Sequence, residues 1–404
     1  MDGRISKKEV LMKVAIITTR HGAQDDRIYY KQALSLESRM DVTMIAPEDG
    51  ENLDWHPDVL FHPIPRRLSP IGRLWSLVEA VSAIRRENPD FCHLHDLDLA
   101  LAIPFIRFLT RAKIVYDSHE AFPEQILMNQ RIPKMFRPLS AKIVDMLEKW
   151  LVHFADHVVT ADNPTCASFE ESHIPSTTVF NYPPLNIFDT ANEKLQKERE
   201  NYSCRFPIIY QGSTSADRGL FHMIDALAII KKSEPRILLR IVGLGSLKLK
   251  NEALACAEAN GVLDLLEIVG WVSHLDIAYS MKSSLIGLVP WQPEEKHKRN
   301  IPIKIFEYMA CGLPIIAADL PSIAYYLSRV EAGILYDSTR PEELARAVLD
   351  LLAAPERRGI MGENGIHAVR ERWNWSEMEK VLFKVYESLG AHWKSNIIEG
   401  SISV

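Results

Sequence analysis

No stretch of 18 uninterrupted apolar residues occurs in the 404-residue chain, which excludes a helical membrane span of the usual ~20 residues. The first twenty residues carry basic side chains, but their apolar run, Val14–Ile17, is shorter than the core of a secretory leader, so no leader is expected. Cysteine is scarce. Cys92, Cys166, Cys204, Cys256 and Cys311 are scattered, odd in number and free of any CxxC pair or Cys/His zinc spacing. A disulfide framework is excluded, and reduced thiols in a cytoplasmic setting are expected. Positive charge is not in excess either: the net charge is −6, which argues against a general nucleic-acid binder, local basic patches aside. Gly243-Leu244-Gly245 follows an apolar run, but Lys248 stands where a dinucleotide fingerprint wants its third glycine. No internal repeat is evident.

What is present is regular alternation. Hydrophobic residues make up 47% of the chain, enough for two cores in domains of roughly 200 residues each. Val14–Thr19, Val42–Ala46, Phe91–His95, Lys113–Tyr116 and His157–Thr160 read as strands. Helical patterns at Arg27–Ser38, Leu74–Arg86, Leu99–Phe105 and Ser140–Ala155 separate them. This predicts an α/β fold with a doubly wound parallel sheet, in which ligands sit beyond the C-terminal strand ends. Three polar clusters fall at such ends: His21–Gly22, His95–Asp96 and Asp117–His119. Each histidine has a structural reading beside a functional one. His119 is favoured, because it has a carboxylate on either side and its imidazole can hydrogen-bond a sugar hydroxyl. Asp96-Leu97-Asp98 is a DxD triplet, read either as a divalent-ion site for a diphosphate or, in preference, as the cap of the following helix.

The charged run Glu193–Asn201 lacks apolar periodicity and is read as connection. Residues 1–185 then form the first domain, 186–205 the connection, 206–375 the second domain, and 376–404 a final helix with a tail. Phe206–Tyr210, Ile237–Gly243, Leu266–Val269, Ile286–Val289, Ile315–Ala318 and Gly333–Tyr336 are the second set of strands. The first of them runs into a small-residue loop, Gly212 to Gly219, ahead of a helix at Leu220–Lys231. Small residues let a ligand approach the backbone, and Arg218 there can meet a phosphate. In Asn300–Asp319, Pro302 suits the first turn of a helix, Gly312 its end, and Pro314 blocks continuation. Asn300, Lys304, Glu307 and Cys311 would share one face. Two readings stand: a solvated Lys–Glu pair worth about 0.2–0.5 kcal/mol, or a site for an anion that also bears hydroxyls.

Taken together, His95-Asp96, Tyr116-Asp117-Ser118-His119-Glu120, Asn181-Tyr182-Pro183, Gly212 to Gly219, Ile241–Gly245 and above all Lys304–Pro314 (KIFEYMACGLP) resemble glycosyltransferase family 4. The resemblance covers nearly the whole chain. It implies a GT-B fold, two Rossmann-like domains facing a cleft, with the final helix crossing back to the first. It also implies a retaining, nucleotide-sugar-dependent reaction. By position, Arg218 and Lys304 would neutralise the donor diphosphate and His119 would contact the donor sugar, the three forming the catalytic set. Glu307 would bind ribose, with Gly22, Gly212, Asn300 and Trp271 as further donor contacts. His21, His95 and Asp96 would lie on the acceptor side. The chain departs from the family at Arg299 and at Ser213, where a glutamate and an arginine are usual.

The expected function is transfer of a sugar from a nucleoside-diphosphate sugar to a hydroxyl acceptor, in polysaccharide, envelope-glycan or glycolipid synthesis. No metal or other cofactor is expected. A sugar-nucleotide epimerase and a non-catalytic nucleotide-binding protein are the alternatives. Arg66, Arg67 and Arg73 interleave with Leu68, Leu74 and Trp75, and Arg131, Lys134 and Arg137 with Ile132, Met135 and Phe136. Such mixing suits an anionic membrane surface or a lipid phosphate, although an ordinary amphipathic surface is the reading slightly preferred. The expected partners are the donor and a glycan or lipid-linked acceptor, with peripheral contact at a membrane's inner face left as an open alternative.

Overall fold

The computed structural model describes residues 11–48, 55–67, 69–120, 122–129, 131–189 and 193–393. Leu68, the basic N-terminal residues, positions 190–192 of the expected connection and the tail beyond 393 lie outside the described residues. The chain divides into two units: Met1–Asn181 with Ser376–Val404, and Tyr182–Trp375.

The first unit holds seven parallel strands: β1 Lys13–Ile17, β2 Asp41–Pro47, β3 Val59–Ile64, β4 Phe91–His95, β5 Lys113–Ser118, β6 His157–Thr160 and β7 Ser176–Thr178. Their order is β3-β2-β1-β4-β5-β6-β7. Residues 14–17 of β1 are fully buried, as a strand covered on both faces must be. The two strands that composition did not reveal, β3 and β7, are the two edges. Pro63 interrupts one, and the other is Ser-Thr-Thr. Edge strands tolerate both, because one side of the ladder needs no partner and less surface is buried.

The second unit holds β8 Phe206–Gln211, β9 Ile237–Val242, β10 Leu266–Val269, β11 Ile286–Val289, β12 Ile315–Ala318 and β13 Gly333–Tyr336. They are ordered β10-β9-β8-β11-β12-β13, again all parallel. Each sheet reverses direction of winding once, between β1 and β4 and between β8 and β11.

Several local expectations change. Arg27–Ser38 is not one α-helix: Asp26–Ala33 is a π-helix, followed by a short α-helical turn at Leu34–Glu37. Leu99–Phe105 is split into helices at Leu97–Ala100 and Ile103–Leu109. Glu193–Asn201 is a helix rather than open connection. One buried leucine, Leu195, anchors it. Glu198 reaches the buried Arg240 at 3.8 Å and accepts from Ser283 at 2.9 Å. With so few apolar positions, its amphipathicity is carried by a salt bridge, which a hydrophobic period does not register.

The helix Trp375–Ser388 belongs, from Ser376 on, to the first unit. Tyr386 is fully buried there, 2.9 Å from His93 Nδ1 and edged against Phe91.

Candidate functional site

In the second unit the polar groups gather at the reversal between β8 and β11. Gly212 ends β8 with φ +95° and Gly243 ends β9 with φ +98°. A Cβ on Gly243 would lie 3.2 Å from the Gly212 backbone, so the two strand ends touch main chain to main chain. Beyond Gly212 the loop folds on itself: the Ser213 carbonyl accepts from Arg218 Nη1 at 2.7 Å and from the Tyr210 hydroxyl at 2.9 Å. Asp217 is held by Lys296 at 2.5 Å and by His297 at 3.3 Å. Burial opposes its charge, but Lys296 and the Ser215 hydroxyl carry its carboxyl down to about 2.

The helix Lys304–Ala310 is pinned from beneath by Tyr308, whose ring lies over Gly287 of β11 and whose hydroxyl accepts from the Gln211 N–H at 3.0 Å. That fixes the next face of the helix. Lys304 is 5% exposed, and its Nζ has no hydrogen-bond partner. The ammonium stands 3.5 Å above the Tyr210 ring and 3.7 Å from where a Cβ on Gly212 would be. Desolvation, then the charge of Arg218, push its pKa well below the usual lysine value, against a smaller opposing pull from Glu307. Glu307, one turn on, accepts from Gln211 Nε2.

Gly212, Arg218, Lys304 and Glu307 therefore form one cluster. Trp271, exposed, closes over Gly245, where a Cβ would fall 2.5 Å from its Nε1. Asn300 does not join the helix face. It is exposed, at the C-cap of a separate helix, Glu295–Arg299, with extended backbone. Pro302 forces the residue before it out of helical conformation, so the Lys–Glu helix starts at Lys304 and the four-residue step from Asn300 is broken.

In the first unit the reversal lies between β1 and β4. Asp96, immediately after β4, has φ +81°, which is strained for a non-glycine residue. Its carboxylate does not cap the following helix. It turns instead to the loop after β1, accepting from Thr18 Oγ1 and the Thr19 N–H at 2.7 Å and the Arg20 N–H at 3.1 Å. His21 lies 3.2 Å from Asp96 and 3.4 Å from Asp25. Burial works against its charge, yet these two carboxylates prevail and push its pKa up to about 10. Its Nε2 is 3.3 Å from Nε2 of His119. Gly22 sits in the same turn, its carbonyl accepting from the Asp25 N–H at 3.1 Å.

Beneath this surface lies a fully buried network. Asp117 receives Arg27 Nε at 3.1 Å and Gln32 Nε2 at 2.5 Å, and stands 3.3 Å from His119 Nδ1. His93 and His95 stack nearby, and burial pushes the pKa of His93 down to about 4. His93, His95 and Asp117 have ligand atoms within 4.8 Å of one another. Arg27 and Gln32 already occupy the Asp117 oxygens, and a guanidinium beside that carboxylate opposes a cation. His95 is buried in this layer rather than placed at an accessible acceptor surface. Asp117 stood in one of the strand-end clusters, but Arg27 carried no sequence signal, because a buried charge looks like any surface charge until its partner is known.

Two doubly wound sheets, each with polar groups collected at its reversal, define the GT-B class of α/β fold. Comparison with known proteins makes this particular. Residues 27–181 match the model described as Glycosyltransferase Family 4 and residues 191–368 the one described as Glycosyl transferases group 1. The chain belongs to this glycosyltransferase family. It is 28% identical over 169 residues to the D-inositol 3-phosphate glycosyltransferase of Segniliparus rotundus, a match covering 41% of this chain and 36% of the relative. The chain spans about a third to two thirds of the length of the curated relatives it matches first. Among solved structures, sucrose-phosphate synthase from Thermosynechococcus elongatus superposes with a TM-score of 0.72 at 17% identity, covering 94% of this chain and 99% of that one. The Anabaena protein HepE in complex with UDP gives 0.69 at 14% identity, covering 94% and 100%. These likenesses establish the fold.

Proposed function

We propose that the protein is a retaining glycosyltransferase that moves a sugar from a nucleoside-diphosphate sugar to a hydroxyl acceptor on a glycan or lipid-linked glycan. The observation that carries this reading is Lys304, a buried ammonium without a hydrogen-bond partner, set beside a glycine whose missing Cβ leaves the approach open. Such a cation is unstable alone and fits a diphosphate. A neighbour in fold, Anabaena HepE, binds UDP, which agrees with a nucleotide ligand. Arg218 supplies the second positive charge, and Glu307 is the acceptor of hydrogen bonds from ribose hydroxyls.

As the glycosidic bond to the donor breaks, negative charge grows on the diphosphate. Lys304 and Arg218 are fixed before the reaction and stabilise that charge without rearrangement. The departing phosphate is itself a base and takes the acceptor proton, so no protein base is assigned and the anomeric configuration is kept. These two cations do the work a divalent ion does elsewhere, and metal independence is part of the proposal. His119, partly buried against Asp117 with its Nε2 turned to His21, is the candidate for a sugar hydroxyl. The protein acts in the cytoplasm.

The test is a melting-temperature screen with nucleoside diphosphates and their sugars, followed by NMR of the product formed with a glycan acceptor panel. Stabilisation by one nucleotide series and an acceptor-dependent product of unchanged anomeric configuration are expected. An isomerised sugar nucleotide formed without acceptor would establish an epimerase instead, and nucleotide binding without any turnover a non-catalytic protein.

A further inference from the structure

Three helices of the first unit turn apolar side chains outward. They cover one face of the sheet, since Leu77, Ile84, Ile103, Ile106, Leu151 and Val152 share a single core cluster. Pro70–Glu87 packs on Ile103–Leu109, and Ile103–Leu109 on Arg137–Val152. On the opposite side of Pro70–Glu87, Ile71, Leu74, Trp75 and Val78 are exposed, at helical steps of three, one and three. Ile103–Leu109 exposes Phe105 and Phe108, the latter at 92%. Arg137–Val152 exposes Leu139, Ile143, Met146, Leu147 and Trp150, again one continuous stripe. Its inward face holds Ala141, Leu151 and Glu148, the last accepting from Tyr116 and Ser118. A helix whose apolar stripe faces outward while a carboxylate faces inward is turned opposite to a free surface helix. Three such stripes side by side exceed the scattered apolar residues of an ordinary surface.

Charge selects the occupant. Between 131 and 144 there are Arg131, Lys134, Arg137 and Lys142 and no carboxylate, in a chain of net charge −6. Met135, 79% exposed, and Phe136 project among these cations. A second copy docked on this face by two-fold symmetry would bring the cationic segments together. No helix among the described residues is long and apolar enough to span a membrane.

We propose that this face is an in-plane docking surface for an anionic lipid bilayer, with the apolar stripes entering the headgroup boundary and Arg131, Lys134 and Lys142 meeting lipid phosphates. It deepens the acceptor side of the proposed function by presenting the chain to a membrane-borne acceptor, but its test needs no donor and no turnover.

The full chain is mixed with vesicles of phosphatidylcholine containing 30% phosphatidylglycerol, or of phosphatidylcholine alone, and floated at low and high salt. Binding to the anionic vesicles at least about tenfold above the neutral ones, weakened by salt, is expected. The double variant Lys134→Gln/Lys142→Gln is expected to lose about 30-fold in affinity for the anionic vesicles, at about one cation's contribution for each change. Phe108→Ser/Trp150→Ser, both at exposed positions, is expected to lose at least about tenfold while melting like the parent. No flotation, or flotation unchanged by both variants, overturns the proposal. So does a parent that is dimeric by light scattering, fails to float and becomes monomeric in Phe108→Ser/Trp150→Ser, which makes the face a self-association surface. A chain that transfers sugar to a soluble acceptor yet does not float separates the two readings, removing the docking surface and leaving the transferase.

Discussion

Replacing Lys304 by methionine should make the unliganded protein more stable and useless. The ammonium is buried, has no hydrogen-bond partner and carries Arg218 as a charged neighbour. Burying one uncompensated ion costs several kcal/mol after relaxation. The Tyr210 ring at 3.5 Å returns about 2 kcal/mol, and Glu307 a little more. Methionine fills the same channel with a flexible apolar stem. The net gain on Lys304→Met is then about 1–3 kcal/mol, or a rise in melting temperature of roughly 3–10 °C for a domain of this size. The pH dependence has a definite sign. The folded-state pKa is depressed below the ordinary 10.5, so the penalty in the parent is largest at low pH and vanishes as pH climbs towards 10.5. The advantage of the variant should shrink over the same range. With nucleoside diphosphate at about a hundred times its dissociation constant, the parent should gain about 2.7 kcal/mol and the variant almost none. Differential scanning calorimetry with and without ligand reads both effects. A variant that melts below the parent, or that keeps the ligand-induced shift, would refute the view that this lysine is a stored, unsatisfied phosphate contact.

Three other perturbations follow from the geometry. Asp117→Ala strands the Arg27 guanidinium in a dry interior and should cost about 3–5 kcal/mol in urea denaturation; a loss below 1 kcal/mol would mean the pair is already solvated. Gly219 has φ +83° and an added Cβ would lie 2.1 Å from the Pro290 carbonyl oxygen. Gly219→Ala should therefore cost about 1–3 kcal/mol and misplace Arg218, lowering turnover more than the stability change alone would. His21 has a folded-state pKa raised to about 10 against an ordinary 6.5. Its contribution is full below pH 6.5 and fades as pH rises to 10. Discounted for its partly open site, it amounts to about 1–2 kcal/mol. His21→Gln should flatten stability across that window, and an unchanged profile would show that Asp25 and Asp96 do not hold a proton there.

Much of this was legible, for reasons that differ between the units. The six strands described in the second sheet are short and mostly aliphatic, because three of the inner ones, β9, β11 and β12, are buried along their whole length. In the first unit the five inner strands read the same way, whereas the rim strands lack that run, β3 being broken by His62-Pro63 and β7 being Ser-Thr-Thr. Lys304 and Glu307 stood out by their shared helix face, Gly212 and Arg218 by a small-residue loop ahead of a helix, and all four by their likeness to the family's motifs. What stayed hidden is pairwise. Nothing in a linear pattern shows that Tyr210 lies under Lys304, that Arg27 reaches Asp117 across 90 positions, or that Asp96 faces Thr18 rather than its own helix. Asn300 was misplaced for a local reason, since Pro302 resets the backbone between it and Lys304.

The return of Trp375–Ser388 to the first unit bears on how the chain is made. The second unit is a continuous segment and is complete once Trp375 has left the ribosome. The first unit is not, for its core still lacks Tyr386 against His93 and Phe91. The half synthesised first is the half finished last, and until then the layer of buried histidines and Asp117 is open on one side. A nonsense mutation between positions 375 and 386 would leave a well-formed second unit attached to a first unit that cannot close, and such a chain is a substrate for proteolysis rather than a shortened enzyme.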